Sequence, residues 1–444
     1  MRWSVPIGGL VAAAVMFGVM LVDGSRPASA QQIGQDALSY LGTFAFADSL
    51  KTWDQAKEYS AESVLDHVRD GFRASGYRLP GGHMIYPTLQ AKTVFDDNLF
   101  LTPQKVGDLR SSLGANVELQ TSLPRHALKV ALGAETTSFK DHSYLDFTNA
   151  NARVDGRIDV TAADSIGISF QSQLGHDDNF LPVAPDNAAA AVPIWLNRGG
   201  VGYMHDAGRT ALAIGADYQR TRFSDVLNYD GSTADKAAGD NDIAGAFAFL
   251  SYRWSPGYRG FLAGRIDREV LLNERAAYGD NNTYRAEAGV VYELDPLLKF
   301  SLYGGYDYIK FDTDAQYNFG TMTFKGQVQW LPTQRLTVTL DAGRSLQRTV
   351  VGPEFGQLSD QLRAKAQYDI YHNIIGTLDL SLQRNQFIGS SRVDTQWNAG
   401  ASVDYLFNEN LALTLGYEHI DRASTDSNFS FDDNRFMATL KLSQ

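Results

Sequence analysis

The sequence predicts an all-β transmembrane protein: an antiparallel up-and-down β-barrel of about 18 strands, 16 to 20 at the outside, with a short, partly helical N-terminal segment in front of it. Three observations carry this. Side chains alternate with period two over runs longer than soluble strands use, tight turns and long polar loops follow one another in rotation, and no apolar run beyond Val22 is long enough to cross a bilayer as a helix.

The chain starts with Met1-Arg2, an apolar run from Val5 to Val22 and then Ala28-Ser29-Ala30. A basic start, an apolar middle and a small-x-small end are what signal peptidase reads, so residues 1–30 are expected to be a cleaved signal peptide. A retained membrane anchor is the alternative. Residues 31–83 read as a periplasmic N-terminal segment or a plug, with a short helix near 61–73. There Val64, Leu65, Val68 and Phe72 share a face, and Glu62, Asp66, Arg69 and Asp70 lie off it.

From residue 84 to 444 the pattern is that of the barrel. Ile85, Pro87, Leu89, Ala91, Thr93 and Phe95 alternate with Tyr86, Thr88, Gln90 and Lys92; Leu362, Ala364, Ala366, Tyr368 and Ile370 alternate with Arg363, Lys365, Gln367 and Asp369. Such runs reach about a dozen residues, against the usual five or six of soluble sheets, and a tilted membrane strand needs roughly 9 to 11 for the apolar belt alone.

Tight turns are expected near Ser122-Leu123-Pro124, Ala162-Ala163-Asp164, Asp206-Ala207-Gly208, Ser255-Pro256-Gly257, Asp295-Pro296, Pro332-Thr333, His372-Asn373 and Asn408-Glu409-Asn410. Longer Asp-, Asn- and Gly-rich stretches fall between them. Short turns at one end and long loops at the other are the habit of bacterial outer-membrane barrels. Trp254, Tyr258, Tyr292, Trp330, Tyr368, Tyr371, Tyr405 and Phe407 flank the turns, where amphipathic rings suit the lipid head-group level.

The 444 residues carry a net charge of -12 and no cysteine. No basic cluster offers a surface for phosphates, so nucleic acid is not an expected partner. Disulfides, thiolate metal sites and Cys nucleophiles are excluded together. The 8 histidines show no metal-ligand spacing, and neither a metal nor a cofactor is expected. There is no Gly-x-Ser-x-Gly elbow and no phosphate-cradling loop opening a helix, so no catalytic residue is named and no enzyme is expected. His176-Asp177-Asp178 and Glu418-His419, the nearest acid–histidine pairings, read as solvated loop positions.

By parity the face turned to the lumen carries Lys92, Arg110, Lys129, Arg153, Arg157, Arg265, Arg285, Lys325, Arg363 and Lys365. Interleaved with them are Asp155, Asp159, Asp217, Asp267, Glu287, Asp307, Asp341, Asp369, Asp379 and Asp404. Inward side chains tune what passes a barrel, so these residues are the candidate substrate path. Mixed signs imply pairing across strands and a pore selective for neither charge. Tyr86 and Tyr303 fall on the same face, where rings stack on sugars and hydroxyls hydrogen-bond to them.

Val64 to Pro80, Pro87, the run Phe95-Asp96-Asp97-Asn98-Leu99-Phe100-Leu101-Thr102 and Asn151 to Asp159 resemble a β-barrel porin family often found beside exopolysaccharide export genes, the β-barrel porin 2 type. Asp96, Asp97 and Asn98 form its most specific motif. The resemblance implies a multi-pass barrel in the cell outer membrane and a conduit for exopolysaccharide export. Its implied partners are outer-membrane lipid and lipopolysaccharide, the secreted polysaccharide and periplasmic export proteins. A general diffusion porin for small hydrophilic solutes is the alternative, and a structural or adhesion barrel is the third reading. One departure is that the last strand ends in Gln444, without the terminal aromatic usual in such barrels.

Overall fold

The structure, a computed structural model, describes residues 75–176, 192–227, 233–234, 240–272, 279–295, 297–313, 315–347 and 356–444. The expected signal peptide, the helix near 61–73, Asp177 and Asp178 lie outside them.

One antiparallel sheet holds 19 strands, one of which is the two-residue Tyr77–Arg78 pairing against the start of the first long strand; eighteen long strands remain. They are β1 (Met84–Asp96), β2 (Asp108–Gln120), β3 (His126–Phe139), β4 (Phe147–Asp159), β5 (Asp164–His176) and β6 (Pro193–Asp206). Then come β7 (Thr210–Phe223), β8 (Asn241–Ser255), β9 (Tyr258–Leu271), β10 (Asn281–Asp295), β11 (Leu298–Phe311) and β12 (Phe319–Thr333). The ring continues through β13 (Leu336–Gln347), β14 (Gly356–Tyr371), β15 (Ile374–Ile388), β16 (Val393–Leu406), β17 (Leu411–Ser424) and β18 (Phe431–Ser443).

Each strand pairs with its neighbours in sequence, and β1 pairs with β18 from Thr88↔Ser443 to Asp96↔Arg435, which closes the barrel. Closure satisfies both edges of every strand, the condition for a sheet to survive in lipid. Residues 84 and 443 both lie at the end that carries the tight turns, as an even strand number requires.

Six of the eight expected turns sit where the sequence puts them; of a seventh, Asp295 faces Leu298 and Pro296 lies outside the described residues. At two, Gly208 (φ 85) and Gly257 (φ 73) take the left-handed conformation that a side chain resists. The eighth is displaced: Thr333 still faces Leu336, so the chain reverses at Gln334 and Arg335. A register shift between Trp330 and Thr333 brackets Pro332, which has no N–H to give a ladder.

Facing residues of an antiparallel ladder share a side, so the registers sort every strand into two faces. Leu89, Leu113, Ile266, Leu302, Met322, Leu362 and Leu378 lie on the outward, exposed side. The expected aromatic collar is there too, with Tyr258 5.0 Å from Tyr292 and Tyr292 5.1 Å from Phe300 by ring centroids.

Candidate functional site

All twenty charged residues put forward for the substrate path lie on the inward face. Near the seam Lys92 stands between Ser112 and Thr439, and Arg110 between Val94 and Phe139. Lys129 reaches Glu118 at 2.9 Å, Arg153 reaches Asp155 at 2.7 Å and Arg157 reaches Asp159 at 2.9 Å. Across the barrel Asp341 faces Arg363, which donates to Asp379 at 3.0 Å; Lys365 faces Asp379, and Asp369 faces Ile375. Asp404 accepts from Thr414 at 2.6 Å.

Pairing is not only across strands. Arg153–Asp155, Arg157–Asp159 and Arg265–Asp267 join positions two apart on one strand, because residues i and i+2 share a face about 7 Å apart and a guanidinium spans that distance.

Over β7 to β12 the wall carries the pairs made by Arg265 and Arg285. Arg265 donates to both carboxylate oxygens of Asp217, at 2.7 and 2.8 Å, and to Asp267 at 2.9 Å. Asp217 is two strands away, and the guanidinium gets there by lying across Gly245 of β8, where a Cβ would collide with it. Arg285 holds Asp307 at 3.1 Å, and Thr323 donates to the same carboxylate at 3.3 Å. Glu287, facing Ala263 and Gly305, lies beside Arg285 and Lys325; among the described residues neither of its oxygens takes a hydrogen bond.

Nearer the tight turns the same wall is apolar. Ala213, Phe247, Phe249, Phe261, Ala263, Val291 and Tyr303 form one buried cluster, with Met204 against it. Phe249 stacks on Phe261 at 5.5 Å, and Tyr303 meets Phe261 edge-on at 5.8 Å. Here too glycines make the room: a Cβ on Gly215 would sit 2.5 Å from the Phe247 ring, and one on Gly289 would strike Phe261 at 2.6 Å. Long inward side chains therefore lie flat on the wall instead of projecting into the ring. These glycines make room for side chains lying on the wall.

Sequence parity missed the three phenylalanines. In β8 both faces are apolar, with Ile243, Phe247 and Phe249 against Ala244, Ala246, Ala248 and Leu250, so alternation alone does not tell inside from outside. The available signal was size: the lipid side of β8 is mostly alanine. The register with Asp217 and Arg265 then decides the face.

The Asp96-Asp97-Asn98 motif lies at the opposite end of the barrel, where β1 leaves the sheet. Asp96 accepts from the Asn98 amide at 3.0 Å and pairs with Arg435 at 3.2 Å. Asp97 accepts from the backbone and side-chain amides of Asn434, both at 2.7 Å, and from Lys105 at 3.1 Å; Lys105 also pairs with Asp432. The fully buried Asn98 donates to the carbonyls of Thr102 and Asp432, both at 2.8 Å. These bonds fasten the first strand to the last beyond the end of their ladder.

They also fold residues 97–107 inward across the mouth. Leu99 packs with Phe139, Leu145 and Phe147 on one side, and Leu101 packs with Ile420 and Phe431 on the other. Leu101 holds φ 52, a strained value for a branched aliphatic residue that persists only where surroundings enforce it.

Three of the described histidines illustrate a hydrogen-bonding role. His142 meets Asp108 at 2.8 Å, His205 meets Asp164 at 2.8 Å, and His419 meets Asn434 at 2.9 Å. Glu418 faces Gly400 and Arg435 inside the barrel, whereas the adjacent His419 is on the outer face, so the two form no dyad.

A family model described as "Putative beta-barrel porin 2" matches residues 70–444. Among solved structures, a BenF-like porin from Pseudomonas fluorescens Pf-5 is 11% identical, covers 84% of this chain and 100% of its own, and superposes with a TM-score of 0.47. OccK2 (OpdF) from Pseudomonas aeruginosa is 11% identical over 83% of this chain and 99% of its own, TM-score 0.47, and OccAB4 from Acinetobacter baumannii is 11% identical over 82% and 100%, TM-score 0.46. At that distance none of them bears on what this barrel carries. No curated protein matches the chain.

Proposed function

This chain belongs to the family described as "Putative beta-barrel porin 2" and is an outer-membrane β-barrel porin; from that premise we propose that it is a passive diffusion channel for small hydrophilic solutes. The supporting observation is the inward face, where charges of both signs are paired and laid along the wall over glycines. A closed ring of this strand number is wide enough to enclose water, and a wall flattened in this way leaves its centre to water and solute.

The family match speaks of a porin and brings no polymer with it, so exopolysaccharide export takes second place to diffusion. The mixed charges of Lys92, Arg153, Asp155, Arg285, Asp307, Arg363 and Asp379 favour weak ionic selectivity. Substrate contact at the path residues belongs to the same proposal.

Purified full-length protein in planar bilayers tests it. A steady open conductance, a reversal potential near zero in a salt gradient and swelling of liposomes in small sugars are expected. A barrel that folds but neither conducts nor admits small sugars overturns diffusion. If its deletion then abolishes polysaccharide secretion, export takes its place.

A further inference from the structure

The outward face near the long loops differs between the two flanks of the barrel. On five successive alternate strands the last outward positions before the loop include a cation: Arg220 and Arg222 on β7, Arg268 on β9, Lys310 on β11, Arg344 on β13 and Arg384 on β15. The registers fix their side. Arg268 faces Ala244 and Asn282, Lys310 faces Asn282, Arg344 faces Phe324, and Arg384 faces Thr395, all on the face of the exposed Leu262, Ile266, Leu302 and Leu380. Among the described residues, the corresponding outward strand positions on β16 to β18 and β1 to β6 are Thr, Trp, His, Asp, Asn, Phe, Leu, Ser, Ala and Pro, with no Arg or Lys.

Height matters as much as sign. On each of the five strands one cation stands two residues loopward of an apolar or aromatic outward residue: Tyr218 below Arg220, Ile266 below Arg268, Tyr308 below Lys310, Ala342 below Arg344 and Leu382 below Arg384. Two residues of strand rise about 7 Å, which lifts the charge from the edge of the hydrocarbon to the head-group layer. Neighbouring cations sit on alternate strands, about 10 Å apart along the surface.

Carboxylates hold the cations in place without covering them. Arg220 and Arg222 each reach Asp242 at 2.9 Å, Arg268 reaches Asp280 at 3.1 Å and Asp312 at 2.7 Å, and Arg344 grips Asp360 at 2.5 and 2.8 Å. A guanidinium has five N–H donors and a forked pair uses two, so an outer edge remains for a second anion. Arg220, Lys310 and Arg384 are exposed.

We propose that this flank, β7 to β15, is a docking surface for the phosphorylated head groups of outer-leaflet lipid. The guanidinium forks match phosphate oxygens, and the interleaved carboxylates leave room for divalent cations to bridge further phosphates. The barrel thus meets lipid all round but grips its phosphorylated head groups on this flank. The surface is independent of the lumen, so it stands whether or not the channel carries small solutes.

The test uses full-length protein in detergent, titrated with lipid A and with the same lipid stripped of its phosphates; bound lipid is counted by native mass spectrometry and the thermal unfolding midpoint is followed. Lipid A is expected to bind and raise the midpoint, and the phosphate-free lipid to do neither. The triple variant R220Q/R268Q/R344Q should lose affinity on the order of a hundredfold. K310Q/R384Q, which touches only exposed residues and spares the carboxylate pairs of the triple, guards against misfolding and should lose about thirtyfold. Lys140→Gln, in a loop of the other flank, should change nothing. Undiminished lipid A binding by both flank variants, equal binding of the phosphate-free lipid, or the same midpoint rise from inorganic phosphate alone would each overturn the proposal.

Discussion

The mouth strap at the β1–β18 seam and the inner wall over β7 to β12 are both built from charged and aromatic residues, but they hold in different ways. At the seam short polar side chains bind backbone groups: Asp97 takes the Asn434 amide, and Asn98 serves the carbonyls of Thr102 and Asp432. In the wall long side chains bind one another across strands, and glycines supply the space, as Arg265 does over Gly245 to reach Asp217. Replacing a residue at the seam should therefore loosen one loop, whereas replacing one in the wall should strand a buried partner or push a side chain into the pore.

The largest effect is expected at Arg265. Its side chain is 6% exposed and Asp217's is 3%, so Arg265→Ala leaves two carboxylates in the wall without their cation. Breaking a buried pair from one side costs about 3 to 5 kcal/mol, to be read as a lowered midpoint of urea unfolding in detergent. The double change R265M/D217L should recover most of it. If R265A unfolds like the unaltered protein, the wall is not held by that pair.

Gly289→Val comes next. Its side chain meets Phe261 and Tyr303, at a cost of about 1 to 3 kcal/mol. One ring must then leave the wall, so single-channel conductance should fall while strand content by circular dichroism stays the same. Unchanged conductance would mean the ring moved along the wall and not into the pore.

At the seam, Asn98→Ala removes an amide that serves two carbonyls and should cost about 1 to 3 kcal/mol. Its signature is local: faster protease cleavage within residues 97–107 on an otherwise intact barrel. Global unfolding at the same rate as cleavage would make the seam and the wall one cooperative unit.

Acid should act on the seam too. Partial burial pushes the Asp97 carboxyl up, but the bonds from Asn434 and the Lys105 ammonium outweigh it and leave it below its ordinary 3.8. A group lowered on folding lends stability that is present above 3.8 and disappears as pH falls below it. Strap cleavage should therefore rise below that pH, and Asp97→Asn should flatten the profile.

The smallest effect is at Leu101, where two terms oppose. Glycine would relieve the φ 52 strain, a gain of about 1 kcal/mol, but it gives up a buried side chain that contributes about 2. Leu101→Gly should thus lose about 1 kcal/mol, and a stabilised variant would show that strain, not burial, dominates the strap.

Much of this was legible in the residues. The charge alternation of Arg363, Lys365 and Asp369 against Leu362, Ala364 and Ala366 holds its parity along β14, because one face must meet hydrocarbon and the other water. Pro332 misled by two residues, since a bulge lets proline remain in a strand. The inward Phe247 and Phe249 were not legible, because a strand apolar on both faces carries no parity signal.

The sequence by itself determined that the chain closes as a barrel, which side chains share a face, and where the chain turns, since period two and turn chemistry are local properties. Only the tertiary structure decided what those faces meet: that Arg265 spans a glycine to Asp217, that Asp96-Asp97-Asn98 binds the last strand, and that the outward cations gather on one flank. Each of those depends on the register between strands, and between β1 and β18 on closure of the whole ring; contacts such as that of Thr88 with Ser443, 355 positions apart, leave no mark in local spacing.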